Sequence, residues 1–174
     1  MRRWISPRPS KTPPIDTALR FLAQRPRTEY EVRRRLRRAG VDEAAIEATL
    51  RQLRQHQLVD DAAFARYWLE QRRTFRPRGA RVLRAELARL GVEAAVAREA
   101  TASLDEAAAT EDAYRAAARR AGQLRGLERR AFEARLGAFL ARRGFDWDTI
   151  APVVERLWAE HGAPGAGTED AGTE

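Results

Sequence analysis

The sequence contains no cysteine, which excludes disulfides and thiolate metal sites. Only one of its 33 basic residues is a lysine, Lys11, so nearly all of its positive charge is carried by arginine. No apolar run approaches the roughly 18 residues of a membrane-spanning helix. The basic N-terminus also lacks the apolar segment that follows in a secretory signal. These absences favour a soluble, cytoplasmic protein without membrane contact.

Residues arranged for catalysis are also lacking. The two histidines, His56 and His161, lie far apart and have no neighbour at a metal-ligand spacing. No glycine-rich phosphate loop is present. The acidic residues stand beside arginines at helical spacings, which ordinary ion pairing explains. The sequence therefore predicts a protein that is not an enzyme, with no catalytic residue, no metal site and no cofactor.

The net charge of +8 is unevenly distributed along the chain. Residues 1–14 carry +4, residues 15–59 carry +4 and residues 60–103 carry +3, whereas residues 104–161 are neutral and the last 13 residues carry −3. The positive electrostatic field of the first two-thirds of the chain favours a polyanion or an acidic protein surface as the partner. We expect this contact to be strongest through residues 1–103, with residues 104–161 contributing mainly shape and packing.

A pattern of helix, glycine and helix occurs three times, around Gly40, Gly91 and Gly144. Each glycine follows an amphipathic segment and precedes an apolar residue and then an acidic one. Glycine allows the left-handed conformation that ends a helix, and the acidic residue can cap the next helix. Another helix is expected before each pair. The sequence therefore predicts an all-α fold of nine helices, in three tandem three-helix units that form an elongated, curved body.

The predicted domain boundaries follow from this repeat. We expect a flexible basic arm over 1–14, three-helix units over 15–59, 60–104 and 105–161, and a disordered acidic tail over 162–174. Pro152 conflicts with a ninth helix that begins near Asp146, and a later start with Asp148 as the cap would ease the clash. The aliphatic and aromatic stripes, which include Leu19 and Tyr67, are expected in the core.

Two arginine clusters are the candidate binding residues. One lies on the second helix, and the other crosses the junction of the fourth and fifth helices, where Pro77 is expected to start the fifth helix and Gly79 to permit a close approach. Phe75 inside the second cluster either packs on its own unit or meets phosphate, base or protein. The predicted binding residues are Arg33, Arg34, Arg37, Arg38, Arg72, Arg73, Phe75, Arg76, Arg78, Arg81 and Arg84.

A sequence-reading helix-turn-helix protein, such as a transcription regulator, is the main alternative. Base reading would favour Asn, Gln, Ser or Thr beside arginine on an exposed helix. The second helix of each of the first two units is almost wholly arginine, glutamate and aliphatic, so recognition of backbone or shape is favoured. A scaffold for some other protein stays open.

The ordered segments of residues 15–100 resemble the bacterial regulatory protein RecX family. The most specific part is Leu58-Val59-Asp60-Asp61-Ala62-Ala63-Phe64-Ala65, followed by Arg78-Gly79-Ala80-Arg81-Val82-Leu83 and the Glu86-Leu87 … Gly91-Val92 end. The similarity is looser over 105–160. The first unit contributes Thr28-Glu29-Tyr30-Glu31-Val32 to the same ordered set.

This resemblance implies a function and a partner. It implies a monomer that binds in the groove of the RecA filament on DNA and bridges neighbouring recombinase subunits. It also implies inhibition of ATP hydrolysis, strand exchange and coprotease activity, and so moderation of the SOS response. Single- and double-stranded DNA would be bound without sequence preference. The family supplies no functional residue to transfer, so the candidate residues rest on charge and position.

Overall fold

Helices make up the regular structure of residues 12–102 and 106–161, the part of the chain that the computed structural model describes. No strand occurs within those residues, and the predicted all-α class is confirmed. The predicted acidic tail lies outside the described residues, as does nearly all of the predicted basic arm. The nine helices there are α1 (Pro14–Leu22), α2 (Glu29–Arg38), α3 (Glu43–Gln55), α4 (Asp61–Phe75), α5 (Ala80–Arg89), α6 (Ala94–Ala102), α7 (Glu106–Gly122), α8 (Arg129–Arg142) and α9 (Trp147–His161).

The three repeated glycines end α2, α5 and α8 as the sequence predicts. Gly40, Gly91 and Gly144 have φ values of 77°, 85° and 90°. The next N–H in each case donates back to the carbonyl five residues earlier: Val41 to Leu36 at 3.2 Å, Val92 to Leu87 at 3.0 Å and Phe145 to Leu140 at 3.3 Å. This hydrogen bond and the positive φ define a Schellman end, which satisfies carbonyls that the helix leaves open.

The acidic residue after each glycine caps the following helix in two of the three cases. The Asp42 carboxylate accepts from the Ala45 N–H at 2.9 Å, and that of Asp146 accepts from the Thr149 N–H at 2.9 Å. Hydrogen bonds from the Thr149 side chain and from its backbone N–H hold the pKa of Asp146 below its usual range. The described contacts of Glu93 include no such bond, so this expectation is wrong at α6. A glutamate has one more methylene than the side chains that cap best.

Of the two starts left open for the ninth helix, the earlier one is correct, and one other predicted helix start is wrong. The ninth helix begins at Trp147 and is capped by Asp146 rather than Asp148, so Pro152 lies inside it. Proline there removes one backbone donor, while the flanking Ile150, Val153 and Val154 are buried and hold the helix by packing. Pro77 does not start the fifth helix either, because α5 begins at Ala80.

The contacts divide the described residues into two units. The first contains residues 12–70 and Arg84–Ala102, and the second contains Gln71–Leu83 and residues 106–161. The predicted three-unit boundaries at 59/60 and 104/105 stay a prediction.

In the first unit, α1, α2 and α3 pack against one another around a single aliphatic core. Val32, Leu36, Ile46, Leu50 and Leu53 are fully buried there. Burial of each such side chain stabilises the fold by about 1.5–3 kcal/mol.

Two residues that the sequence predicts to be core residues are exposed in this unit. Leu19 is 41% exposed and Tyr67 is 44% exposed. Their helical spacing placed them beside apolar residues, but the apolar stripe is wider than the face that the neighbouring helices cover.

In the second unit, α7, α8 and α9 pack against one another. Their core is built on Phe132, Leu136, Leu140 and Leu157, with the ring of Trp158 edge-on to Phe132 at 5.2 Å. The small residues of α7 let the other two helices approach closely, since Ala113, Ala117 and Ala121 are fully buried.

Candidate functional site

The first arginine cluster lies on α2, whose N-terminus is fixed by a capping box. The Thr28 hydroxyl accepts from the Glu31 N–H at 3.2 Å, and the Glu31 carboxylate accepts from the Thr28 N–H at 3.3 Å. This reciprocal pair satisfies two donors that would otherwise be open. The cap and the buried Val32 and Leu36 fix which face of α2 the arginines occupy.

Two arginines of this cluster are neutralised by acids of α3. The Arg33 guanidinium donates to Glu43 at 2.5 Å and also to Glu47, and Arg37 donates to Glu43 at 2.9 Å through two nitrogens. The hydrogen bond from Arg37 holds the pKa of Glu43 below its usual range, and that from Arg33 does the same for Glu47. The guanidinium groups of Arg33 and Arg37 thus already use part of their hydrogen-bonding capacity within the protein.

Arg34 and Arg38 are the members of this cluster that are exposed and have no acidic partner in the part of the chain that the structure describes. Both are exposed, and Arg34 lies 5.8 Å from the centre of the Tyr30 ring. Arg38 has no side-chain partner among the described residues. Sequence reasoning could not separate these two from Arg33 and Arg37, because the separating acids belong to another helix.

The second cluster is divided between the two units. Arg72, Arg73, Phe75, Arg76, Arg78 and Arg81 belong to the second unit. Arg84 belongs to the first unit, where it donates to the Thr101 hydroxyl at 3.3 Å. The seven residues are therefore not one continuous site within either unit.

Arg73 is held by a buried acid of α7. Its Nε–H donates to Asp112 at 2.9 Å, and Arg115 donates to the same carboxylate at 2.5 Å. The Asp112 side chain is only 5% exposed, so it requires such compensation. We therefore assign Arg73 to the stability of the second unit.

The segment before α5 lies directly against the end of α8. The Gly79 N–H donates to the Arg143 carbonyl at 3.0 Å, and Arg81 donates to the Ala141 carbonyl at 2.8 Å. A Cβ at Gly79 would overlap the Gly144 carbonyl group. The close approach predicted for Gly79 is thus confirmed, and this contact fixes the position of Arg78.

Phe75 and Arg76 are the part of this cluster most available to a partner. The Phe75 side chain is 74% exposed, so the alternative in which it packs on its own unit is wrong. Arg76 is exposed and its side chain has no partner within residues 12–102 and 106–161. A flat apolar ring next to a guanidinium can contact a base, a phosphate or a protein surface.

Sequence reasoning missed a second basic surface in the same unit. Residues at the C-terminal ends of α7 and α8 and just beyond them line a cavity of about 350 Å³, which we call the arginine groove: Ala116, Arg119, Arg120, Gln123, Phe139, Arg142 and Arg143. None of these described lining residues is acidic. The signal was present as two Arg-Arg pairs near the ends of α7 and α8, but the neutral net charge of residues 104–161 concealed it.

Two kinds of feature are not found in the described part of the chain. No three His, Asp or Glu side chains in residues 12–102 and 106–161 are placed to hold a metal ion. None of the helices over those residues is long and apolar enough to cross a membrane.

These features define a class of protein. The chain is an all-helical protein of tandem three-helix domains, with arginine-rich surfaces. Family models of the first, second and third three-helix domains of RecX match residues 15–53, 60–100 and 109–154 in that order. The chain belongs to the RecX family.

Relatives agree with this assignment over most of their length. The chain is 35% identical to the regulatory protein RecX of Amycolatopsis mediterranei (strain U-32), covering 87% of this chain and 86% of that protein. It is 34% identical to that of Chlorobium limicola, covering 86% and 92%. The crystal structure of RecX from Lactobacillus salivarius has the same fold, with a TM-score of 0.79 at 22% identity over 83% of this chain and 94% of that one.

Proposed function

We propose that the protein is a non-enzymatic regulator that binds the RecA recombinase filament on DNA and restrains it. Restraint would reduce ATP hydrolysis, strand exchange and coprotease activity, and so moderate the SOS response. The observation that carries this proposal is the match of all three RecX domains in their order along residues 15–154. RecX relatives that match most of this chain are named regulatory proteins.

The surface chemistry supports the choice of partner. Exposed arginines without acidic partners, such as Arg38 and Arg76, attract phosphate and carboxylate groups. Phe75 beside Arg76 adds a flat apolar surface that a purely electrostatic contact would not need. A filament of protein on DNA presents both kinds of group. Binding to it through these residues would weaken as salt is added.

Partner, assembly state and location follow from the same proposal. We propose that the protein acts as a monomer in the cytoplasm, where the filament forms. Contacts with single- and double-stranded DNA would go to the sugar-phosphate backbone, without sequence preference. The reason is that α2 carries arginines but no Asn, Gln, Ser or Thr beside them that could help to read bases.

The test is the ATPase rate of a bacterial RecA on single-stranded DNA with the purified protein added. We expect inhibition at equimolar protein, and weaker inhibition as salt rises. No inhibition at an excess of protein would contradict the proposal. Sequence-specific binding of duplex DNA in the absence of RecA would instead favour the transcription-regulator alternative.

A paired variant tests the proposed surface. Phe75→Ala with Arg76→Ala removes both exposed groups and should weaken inhibition. Arg66→Ala is the control, because Arg66 is also exposed and has no side-chain partner among the described residues. Equal inhibition by the two variants would exclude this surface from the contact.

A further inference from the structure

The arginine groove holds four guanidinium groups that its own lining does not neutralise. Arg120 donates to the Gln123 side chain at 3.0 Å, which is a neutral acceptor. Arg119 and Arg142 make no ion pair or side-chain hydrogen bond within the described chain. Such a concentration of unopposed positive charge in a cavity raises the local concentration of anions.

Arg143 has no acidic partner within residues 12–102 and 106–161. It contacts the Pro77 carbonyl only weakly, at 3.5 Å, and its guanidinium lies 4.6 Å from the centre of the Phe139 ring. Partial burial lowers the pKa of Arg143, and the charge of Arg78 lowers it further. Two arginines thus repel one another without a carboxylate between them.

Arg78 adds positive charge next to Arg143, although it does not line the groove itself. Its Nε is buried and has no hydrogen-bond partner among the described residues. The Gly79 N–H donates to the Arg143 carbonyl, so the residue after Arg78 lies against Arg143.

We propose that the arginine groove binds a single strand of nucleic acid, with backbone phosphates on Arg119, Arg142 and Arg143. A base would stack on the Arg143 guanidinium, which lies over the Phe139 ring, since planar groups in basic grooves hold bases of any sequence. An anion bound to Arg143 would also offset the neighbouring positive charge of Arg78. This inference deepens the proposed function, on which it rests, by naming a DNA contact in residues 106–161.

Nucleic acid is favoured over an acidic peptide by the mixture of groups. A peptide carboxylate would use the guanidinium groups as charges and would not need the stacked pair of Arg143 and Phe139. A nucleotide uses both features, the charges through its phosphate and the stacked pair through its base. The volume of about 350 Å³ lies at the small end of the range for ligand sites, so the groove accommodates a short segment and not a folded partner.

The experiment measures binding of a short labelled oligothymidylate to the full chain, without recombinase, as salt is varied. The variant is Arg119→Gln with Arg142→Gln, two exposed side chains whose loss breaks no internal bond. The control is Arg89→Gln with Arg98→Gln, which lowers the net charge equally and also removes exposed arginines without ion pairs. Circular dichroism and thermal unfolding verify that both variants fold. If the double variant does not fold, Arg119→Glu alone replaces it in the binding experiment.

We expect the groove variant to bind about tenfold more weakly than the control at low salt. Each lost phosphate contact reduces the slope of log K against log salt by about 0.7, so two contacts reduce it by about 1.4. Binding and slope equal to those of the control would overturn the proposal. Inorganic triphosphate that binds the groove while the oligonucleotide does not would also overturn it, and would identify a free phosphate ligand.

Loss of recombinase inhibition by the groove variant with unchanged oligonucleotide binding would assign the groove to a protein surface instead of to a strand. Failure of the proposed function is a separate result. In that case the wild-type protein binds the oligonucleotide through the groove but leaves the ATPase of RecA unchanged.

Discussion

Arg73 donates its Nε–H to the buried carboxylate of Asp112 at 2.9 Å, which joins α4 to α7 inside the second unit. A residue that the sequence offers as a binding arginine therefore has a partner within the fold. The same carboxylate accepts from Arg115. Pairing with buried acids therefore divides the second arginine cluster into residues that stabilise the fold and residues that are available to bind a partner.

Arg73→Ala should lower the free energy of unfolding by about 1–2 kcal/mol, because Asp112 is buried and loses one of its donors. Arg76→Ala is the matched control and should stay within about 0.5 kcal/mol of wild type, since the Arg76 side chain is exposed. Urea unfolding followed by circular dichroism measures both. Equal stability of the two variants would show that the pair with Asp112 contributes nothing.

Gly79→Ala should destabilise the second unit by about 1–3 kcal/mol, because the added methyl group overlaps the Gly144 carbonyl. Gly122→Ala is the control in the same unit. A Cβ at Gly122 meets no neighbour within 4 Å, and alanine at this helical position should stabilise by about 0.5–1 kcal/mol. Thermal unfolding should therefore move in opposite directions for the two variants. A shift of the same sign would contradict the close approach at Gly79.

Asp61 should behave as a half-buried hydrogen-bond acceptor whose negative charge destabilises the folded state. Its carboxylate accepts from the Glu29 N–H at 2.9 Å, while burial raises its pKa above the usual range. A raised pKa in the folded state means that the stability contributed by the neutral form is lost as the pH rises through that pKa. Asp61→Asn keeps an acceptor without the charge, so its advantage over wild type should grow as the pH rises from about 4, the usual pKa of an aspartate, through the raised pKa of the folded state.

Asp61→Ala is the companion variant for this position. It removes the acceptor and should lower the free energy of unfolding by about 1–2 kcal/mol at neutral pH. Urea unfolding at several pH values measures both variants. A constant difference between Asp61→Asn and wild type across this range would show that the pKa of Asp61 is the same in both states.

Glu43 and Glu47 should show the opposite dependence on pH. Their pKa values are lowered by hydrogen bonds from Arg37 and Arg33, so their contribution is present above the unfolded pKa and is lost as the pH falls through the folded one. The stability difference between wild type and Glu43→Gln with Glu47→Gln should shrink between about pH 5 and pH 3. The same double variant should bind DNA more tightly, because it releases two arginines.

A filter-binding or anisotropy titration of the Glu43–Glu47 double variant measures that second effect. The control is Glu99→Gln with Glu155→Gln, which changes the net charge equally at exposed acids. If both double variants tighten DNA binding to the same extent, net charge explains the gain and the release of Arg33 and Arg37 does not.

Most of the fold could be predicted from the sequence, but less of the candidate site. The helix-ending role of Gly40, Gly91 and Gly144 could be predicted because it depends on residues within one turn. The state of each arginine could not, since it depends on acids far away in the chain, as Asp112 lies from Arg73. The arginine groove was missed because counting charge over a long segment averages out a local cluster.

Each of the two units is assembled from two separate pieces of the chain. During synthesis the ribosome makes Gln71–Leu83 well before α7, α8 and α9 exist, and completes the first unit only when residue 102 has emerged. A protease cut or a stop codon near residue 103 would therefore leave Gln71–Leu83 without its packing partners. Because the pieces of the two units alternate along the sequence, no single cut in the chain separates one complete unit from the other.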